Sequence, residues 1–227
     1  TAYSNLLPIV CTGEALGVID YDTYVQAYID QVAPKMLSYD LYALYKDRDN
    51  PAYFLALQET RKWSLARGLP FINIYLSVPH FAYRDPSAQD LRWQAYTSLA
   101  YGAKGVTYFT YLTPDIENYH QGIIDIYGNP TPKYADVQQI NRELDKLGPW
   151  LMRLTSTCVT HIGAVPDGCQ RQAGNGSVVD ADGNGRDLLV GEFTDCDALP
   201  WILVVNKDRQ HSAWVTLRIH SAHKRID

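Results

Sequence analysis

Four carboxylates stand where acid–base chemistry could be done: Glu14, Asp40, Asp115 and Glu117 each fall in or just beyond an apolar run that reads as a strand. Two carboxyl groups facing one another, one protonated and one ionised, can cleave an acetal linkage. They must lie about 5 Å apart for retention of configuration, or about 6.5 to 9.5 Å apart for inversion. Glu14, Asp40 and Glu117 are the catalytic candidates, and Asp115 is placed with the groups that would hold a substrate. Each has a blander alternative: Glu14 as a solvated loop residue, Asp40 as a partner of loop amides, Asp115 and Glu117 as surface charges.

Aromatic residues are the second chemical signal. Seventeen tyrosines and five tryptophans exceed what a core of this size requires. Such rings present an apolar face beside a polar tip, the combination on which the C–H face of a sugar stacks. Tyr42, Tyr75 and Tyr111, on or beside the predicted strands, and His80, just after one, are the substrate-binding candidates. Alternation along a strand puts Tyr75 on one face with Asn73, and Tyr111 on one face with Phe109. Core packing competes for each tyrosine, and a loop-structuring role competes for His80. Lys104 precedes its strand, at the end opposite the expected site, so a Schiff-base role is not assigned to it.

Repeating units must position these groups. Apolar runs at residues 5–10 (NLLPIV), 36–44 (MLSYDLYAL), 70–78 (PFINIYLSV) and 105–112 (GVTYFTYL) read as strands. Helices are expected between and after them: one capped by Asp22 and ending at Pro34, one opened by Asp49 and Pro51 and stopped at Gly68, one from about Ser87, and one striped by Val137, Ile140, Leu144 and Leu147 before Gly148. The strands begin near 5, 36, 70 and 105, so the unit recurs every 31 to 35 residues. Four βα units at that spacing predict a parallel sheet with crossover helices. After Pro149 the helical stripe disappears and short alternating runs predict a small antiparallel, sandwich-like β domain. The division is therefore 1–152 and 153–227.

A doubly wound sheet would carry a glycine-rich phosphate turn after an early strand, and CTGEALG is not GxGxxG. A (β/α)8 barrel carries its chemistry on the loops at the carboxyl ends of its strands, and here those loops are rich in Tyr, Asp, Glu and His. The fold class expected is α/β, with four βα units forming half of a (β/α)8 TIM-type barrel, followed by a small antiparallel β domain.

A net charge of -5 argues against a nucleic-acid partner, and no apolar run is long enough to suggest a membrane span. Cys11, Cys158, Cys169 and Cys196 include no CxxC pair for zinc. They allow one bridge, Cys158 to Cys169, or free thiols throughout. The compartment stays open, leaning to secreted or periplasmic. The chain starts at Thr1 with neither Met nor a signal peptide, so a processed product or a piece of a longer protein is expected. Asp180-x-Asp182-x-Asn184-Gly185 opens like a calcium loop, but its twelfth position is Gly191, so a hairpin turn is expected. Asn175-Gly176-Ser177 matches the glycosylation sequon. No cofactor or metal is expected.

The segments NLLP at 5–8, MLSYDLYAL at 36–44, LRWQAYTSLAYGAKGVTYFTY at 91–111, GIIDIYGNPTPKYADVQQINREL at 122–144 and VGEF at 190–193 together resemble the carboxyl half of clan A glycoside hydrolases. The likeness is nearest to the beta-galactosidase group of glycoside hydrolase family 42 and its relatives. It implies that the four strands correspond to the fifth to eighth of a barrel, that a β-sandwich follows, and that the substrate is a carbohydrate. The family's general acid sits at the end of the fourth strand, outside this match. Its nucleophile, a Glu ending the seventh strand, meets 70–78, which has no carboxylate. Neither catalytic position carries over. The expectation is a protein acting on O-glycosidic bonds, a beta-galactosidase or related beta-glycosidase, completed as a homodimer because each open sheet edge would otherwise expose unpaired backbone. A non-catalytic sugar-binding protein, or a truncated remnant of such a barrel compatible with the ending HSAHKRID, is the alternative.

Overall fold

The structure, a computed structural model, describes Leu6 and residues 20–220. The expected first strand at 5–10 therefore lies outside the described residues except for Leu6. Its amide donates to the carbonyl of Ser38 at 2.7 Å, and it bridges Tyr39 in parallel. Glu14 and Cys11 also lie outside the described residues.

α1 (Tyr21–Val32) is capped by Asp20 and not by Asp22, because it is the Asp20 carboxylate that accepts the amide of Thr23. Asp22 sits in the first turn and bonds Lys62 and the indole of Trp63 on α2 (Tyr53–Arg67). Gly68 ends α2 in the left-handed conformation, φ 62°, as a glycine C-cap does. At the other end of α2 the side chain of Asn50 accepts the amide of Ala52. Asp49, expected to open this helix, is engaged elsewhere. α3 (Ala88–Ala100) carries a reciprocal capping box between Ser87 and Asp90.

β1 (Leu37–Asp40), β2 (Phe71–Leu76) and β3 (Gly105–Phe109) form a parallel sheet in that order, with Tyr39 opposite Asn73 and Tyr75 opposite Tyr108. The second and fourth expected strands are both shorter than predicted: the chain leaves β1 after Asp40 and β3 after Phe109. All four helices cover one face of this sheet. Leu37, Tyr39 and Phe71 pack with residues of α1, α2 and α3, and Tyr75 packs with Leu91 and Ala95 of α3 and with Val137 and Ile140 of α4 (Pro132–Leu151). The alternating positions Ile72 and Ile74 stay half-exposed and Thr107 exposed, since no helix lies over them. α4 runs through Gly148 and Pro149 to Leu151, beyond the expected stop, and Lys104 donates to the carbonyls of Leu151 and Leu154 at its end. Among the described residues no helix is long and apolar enough to cross a membrane.

The rest of the chain is antiparallel. β4 (Thr155–Ile162), β6 (Leu188–Thr194) and β7 (Pro200–Asn206) form one sheet in the order β4-β6-β7, and β5 (Val178–Asp182) pairs β8 (Thr216–Ile219). Val178, Ala181 and Val190, with Ile162, Ile202 and Ile219 against them, make a small core between the two sheets. The segment read as a possible calcium loop is a tight turn, with Asn184 and Gly185 both at positive φ and the Arg186 amide bonded to the Gly183 carbonyl. Cys158 and Cys169 are free thiols, so the bridge allowed by the sequence is not formed.

The two parts share one continuous core, in which Val159, Leu189 and Val205 join the cluster built on β1 and β2. Gly191 of β6 lies so close to the end of α3 that a Cβ there would meet the Ala100 carbonyl oxygen at 2.3 Å. Beside it runs a buried relay. The Lys207 ammonium can only donate, so His161 Nδ1 accepts from it at 3.3 Å. His161 Nε2 then carries the proton and donates to the Tyr101 oxygen at 2.8 Å, and Tyr101 donates to Cys169 Sγ at 3.4 Å. Burial pushes the His161 imidazole down to about 3, so the ring is neutral across the ordinary pH range.

Candidate functional site

The carboxyl ends of the parallel strands carry a compact group of polar and aromatic side chains. Asp40 is the last residue of β1, on the face opposite Tyr39, and the Tyr42 hydroxyl donates to its Oδ2 at 3.3 Å. Burial, then the neighbouring Asp40 charge, pushes the Tyr42 phenol far above its ordinary value, so it stays a donor.

His80 follows β2 and lies under this pair. Its Nδ1 sits 2.8 Å from the Val78 carbonyl, which can only accept, so Nδ1 carries a proton and donates it there. The ring stacks on Tyr119, centroids 4.8 Å apart, and meets Tyr42 at 5.5 Å, Tyr83 at 5.0 Å and Phe109 at 5.4 Å. Phe81, at φ 45° and 58% exposed, forms the outer edge of this aromatic group. The arrangement supplies one carboxylate, one phenolic donor and a ringed floor, which together suit a polyol whose C–H face lies flat.

The structure thus brings together Asp40, Tyr42 and His80, and leaves the other candidates apart. Tyr75 does share a face with Asn73, but that face is the helix-covered one: Tyr75 is fully buried, its ring edge-on to Tyr108, out of reach of any solute. Asn73 beside it donates to Ser98 of α3 at 2.8 Å. Tyr111 does not share a face with Phe109, because β3 ends at Phe109. Phe109 turns toward Tyr42 and His80, whereas Tyr111 lines a groove of about 370 Å³ along α4 with Val137 and Asn141. Asp115 and Glu117 are exposed in the loop between β3 and α4, and no bond ties either to Asp40 among the described residues. Among the described residues no group of His, Cys, Asp and Glu could hold a metal ion.

Tyr83, Tyr119 and Phe81 belong to the site and were not singled out from sequence. They sit in loops, where no periodicity marks a side chain's direction. The one available signal was the density of aromatics in HFAY and ENYH.

A family model described as beta-galactosidase, glycoside hydrolase family 42, matches residues 14–147 of the chain. The match takes in every element that positions Asp40, Tyr42 and His80 and ends before the antiparallel strands. No curated protein matches the chain.

Proposed function

Since the chain belongs to glycoside hydrolase family 42, the beta-galactosidase family, we propose that it engages a β-galactoside or related β-glycoside at the carboxyl ends of β1–β3. The observation that carries this reading is the junction of Asp40 with Tyr42 above the His80, Phe109 and Tyr119 rings. In it the sugar ring lies on the aromatic floor, and Asp40 with the Tyr42 hydroxyl orders the sugar hydroxyls. Asp40, bonded by a donor, suits the ionised partner of a carboxyl pair, the base or nucleophile.

The second carboxyl group comes from elsewhere, and the uncovered sheet face suggests where. Ile72, Ile74 and Thr107 would line the lumen of a barrel, which supports reading β1–β3 with the Leu6 bridge as half of a (β/α)8 fold. A second copy, related by a two-fold axis along the barrel, keeps all strands parallel and pairs the edge of β3 with the edge at the partner's Leu6. Glu14 or Glu117 of either copy is then the general acid. Assays on nitrophenyl β-galactoside and β-glucoside, with light scattering on the same sample, test this. The expected result is turnover by a dimer, lost in Asp40→Asn.

A second reading, sugar binding without hydrolysis, is favoured by one feature: Asp40 is the sole carboxylate bonded within the aromatic group among the described residues. Saccharide binding without turnover, unchanged on dimerisation, selects it.

A further inference from the structure

A cleft of about 890 Å³ opens between the loop after β1, the loop after β2 and the turn that follows β7. Its walls carry nine charged side chains, five cations and four carboxylates, on a chain whose net charge is -5. Most of these charges are spent on one another. Arg84 grips both oxygens of Asp90 at 2.6 and 2.7 Å, Arg209 bonds Asp49 at 2.7 Å, and Arg48 pairs with Asp47 at 2.9 Å. Asp208 pairs with Arg186 from outside the cleft at 2.8 Å.

Two cations remain. Lys46 and Lys207 line the cleft, and among the described residues neither has a carboxylate within ion-pair distance. Lys207 donates to His161 and to the Ala164 carbonyl, both uncharged, which leaves one of its three N–H bonds for the cleft. Burial pushes its ammonium below the ordinary lysine value, and the Asp187 charge nearby offsets this only in part. The cleft also adjoins the sugar site. Tyr45 on its wall stacks on Tyr83 at 5.2 Å, and Tyr83 meets Tyr42 edge-on at 5.1 Å.

We propose that this cleft receives the anionic substituent, carboxylate or sulfate, of an acidic saccharide whose neutral part lies on the Tyr42 and His80 group. The inference rests on the carbohydrate reading above and adds a substrate class to it: an oligosaccharide with a charged unit, held by Lys46 and Lys207. Two lysines that form no ion pair among the described residues supply a charge-assisted contact that a neutral sugar cannot use.

Calorimetric titration of the whole chain with a neutral galacto-oligosaccharide, with the same oligosaccharide ending in a uronic acid, and with sulfate alone tests it. The acidic saccharide is expected to bind about five- to tenfold more tightly than the neutral one at low salt. The advantage should shrink as salt screens it and vanish in Lys46→Met, an exposed position where folding is not at stake, with Lys207→Met as the second variant. Equal affinity for the two saccharides overturns the inference and leaves the carbohydrate reading standing. Binding of sulfate without either saccharide overturns both, and makes the cleft a site for a free inorganic anion. No binding of any of the three also overturns both.

Discussion

Arg209, from the turn after β7, reaches across to Asp49 in the loop after β1, its Nη2 2.7 Å from the carboxylate. The same guanidinium lies 4.8 Å over the Trp93 ring and places Nε 3.4 Å from Asp90, whose side chain is 4% exposed. One side chain therefore fastens the antiparallel part to the loop after β1 and to the first turns of α3. Arg209→Ala should destabilise the chain by about 2 to 3 kcal/mol, through the lost stacking and a nearly buried carboxylate with one cation fewer. Arg209→Lys should recover only part of this, because an ammonium cannot fork between Asp49 and Asp90. Urea titration of the three proteins gives the comparison, and an Ala variant as stable as the parent would contradict the fastening role.

Tyr42→Phe removes one donor and leaves the ring. Saccharide affinity should fall about fivefold, the loss of roughly 1 kcal/mol for one hydrogen bond. Asp40→Asn should lower any turnover by about 100-fold or more while changing saccharide affinity much less, since the amide still bonds hydroxyls but cannot act as base or nucleophile. Turnover that survives Asp40→Asn rules out this residue as the ionised partner.

Acid should weaken the fold in two stages. Unfolded, His161 takes up a proton near pH 6.5, while the buried ring resists until about pH 3. The unfolded state therefore binds more protons in between, and stability drops as pH falls through that window by about 1.4 kcal/mol per unit. His161→Gln, which is uncharged throughout, should flatten this slope. Asp90 acts lower. Burial alone would raise its carboxyl, but the Arg84 guanidinium and the Ser87 amide and hydroxyl outweigh that and hold it below the ordinary 3.8. Its stabilisation is thus present above that value and lost as pH falls below it, so Asp90→Asn should lower stability by a constant amount above about pH 4 and lack the further loss below it. Unfolding midpoints measured from pH 7 to 3 separate the two.

Gly191→Ala should cost about 3 kcal/mol or more, because the added methyl meets the Ala100 carbonyl oxygen and not a side chain that can swing away. Thermal melting reads it, and an unchanged midpoint would show that α3 and β6 can part without cost.

The parallel order of β1–β3 was legible because strand-like runs alternate with helical stripes at a steady interval. Gly68 as a helix stop and Ser87 as a helix start could be read from single residues. Asp40 and Tyr42 could be singled out because both fall in the strand-like run 36–44, toward its carboxyl end. Tyr75 misled because alternation fixes which residues share a face and says nothing about which face the helices cover. Tyr111 misled because residues 105–112 keep a strand composition past the point where the backbone turns. Arg209 carried no signal, since its partners Asp49 and Asp90 are distant in sequence and meet it only through the tertiary fold.

The relay from Lys207 through His161 and Tyr101 ends on the Cys169 thiol, and its members come from both parts of the molecule. Burial pushes that thiol up, so it is held as the slow-reacting protonated form while the junction stays shut. Parting the two sheets from α3 would release Tyr101 and admit water at the same moment. Cys169 is half-buried with the seam shut, so its labelling by an alkylating reagent is slow in the closed molecule and should quicken in any variant that comes open at its seam.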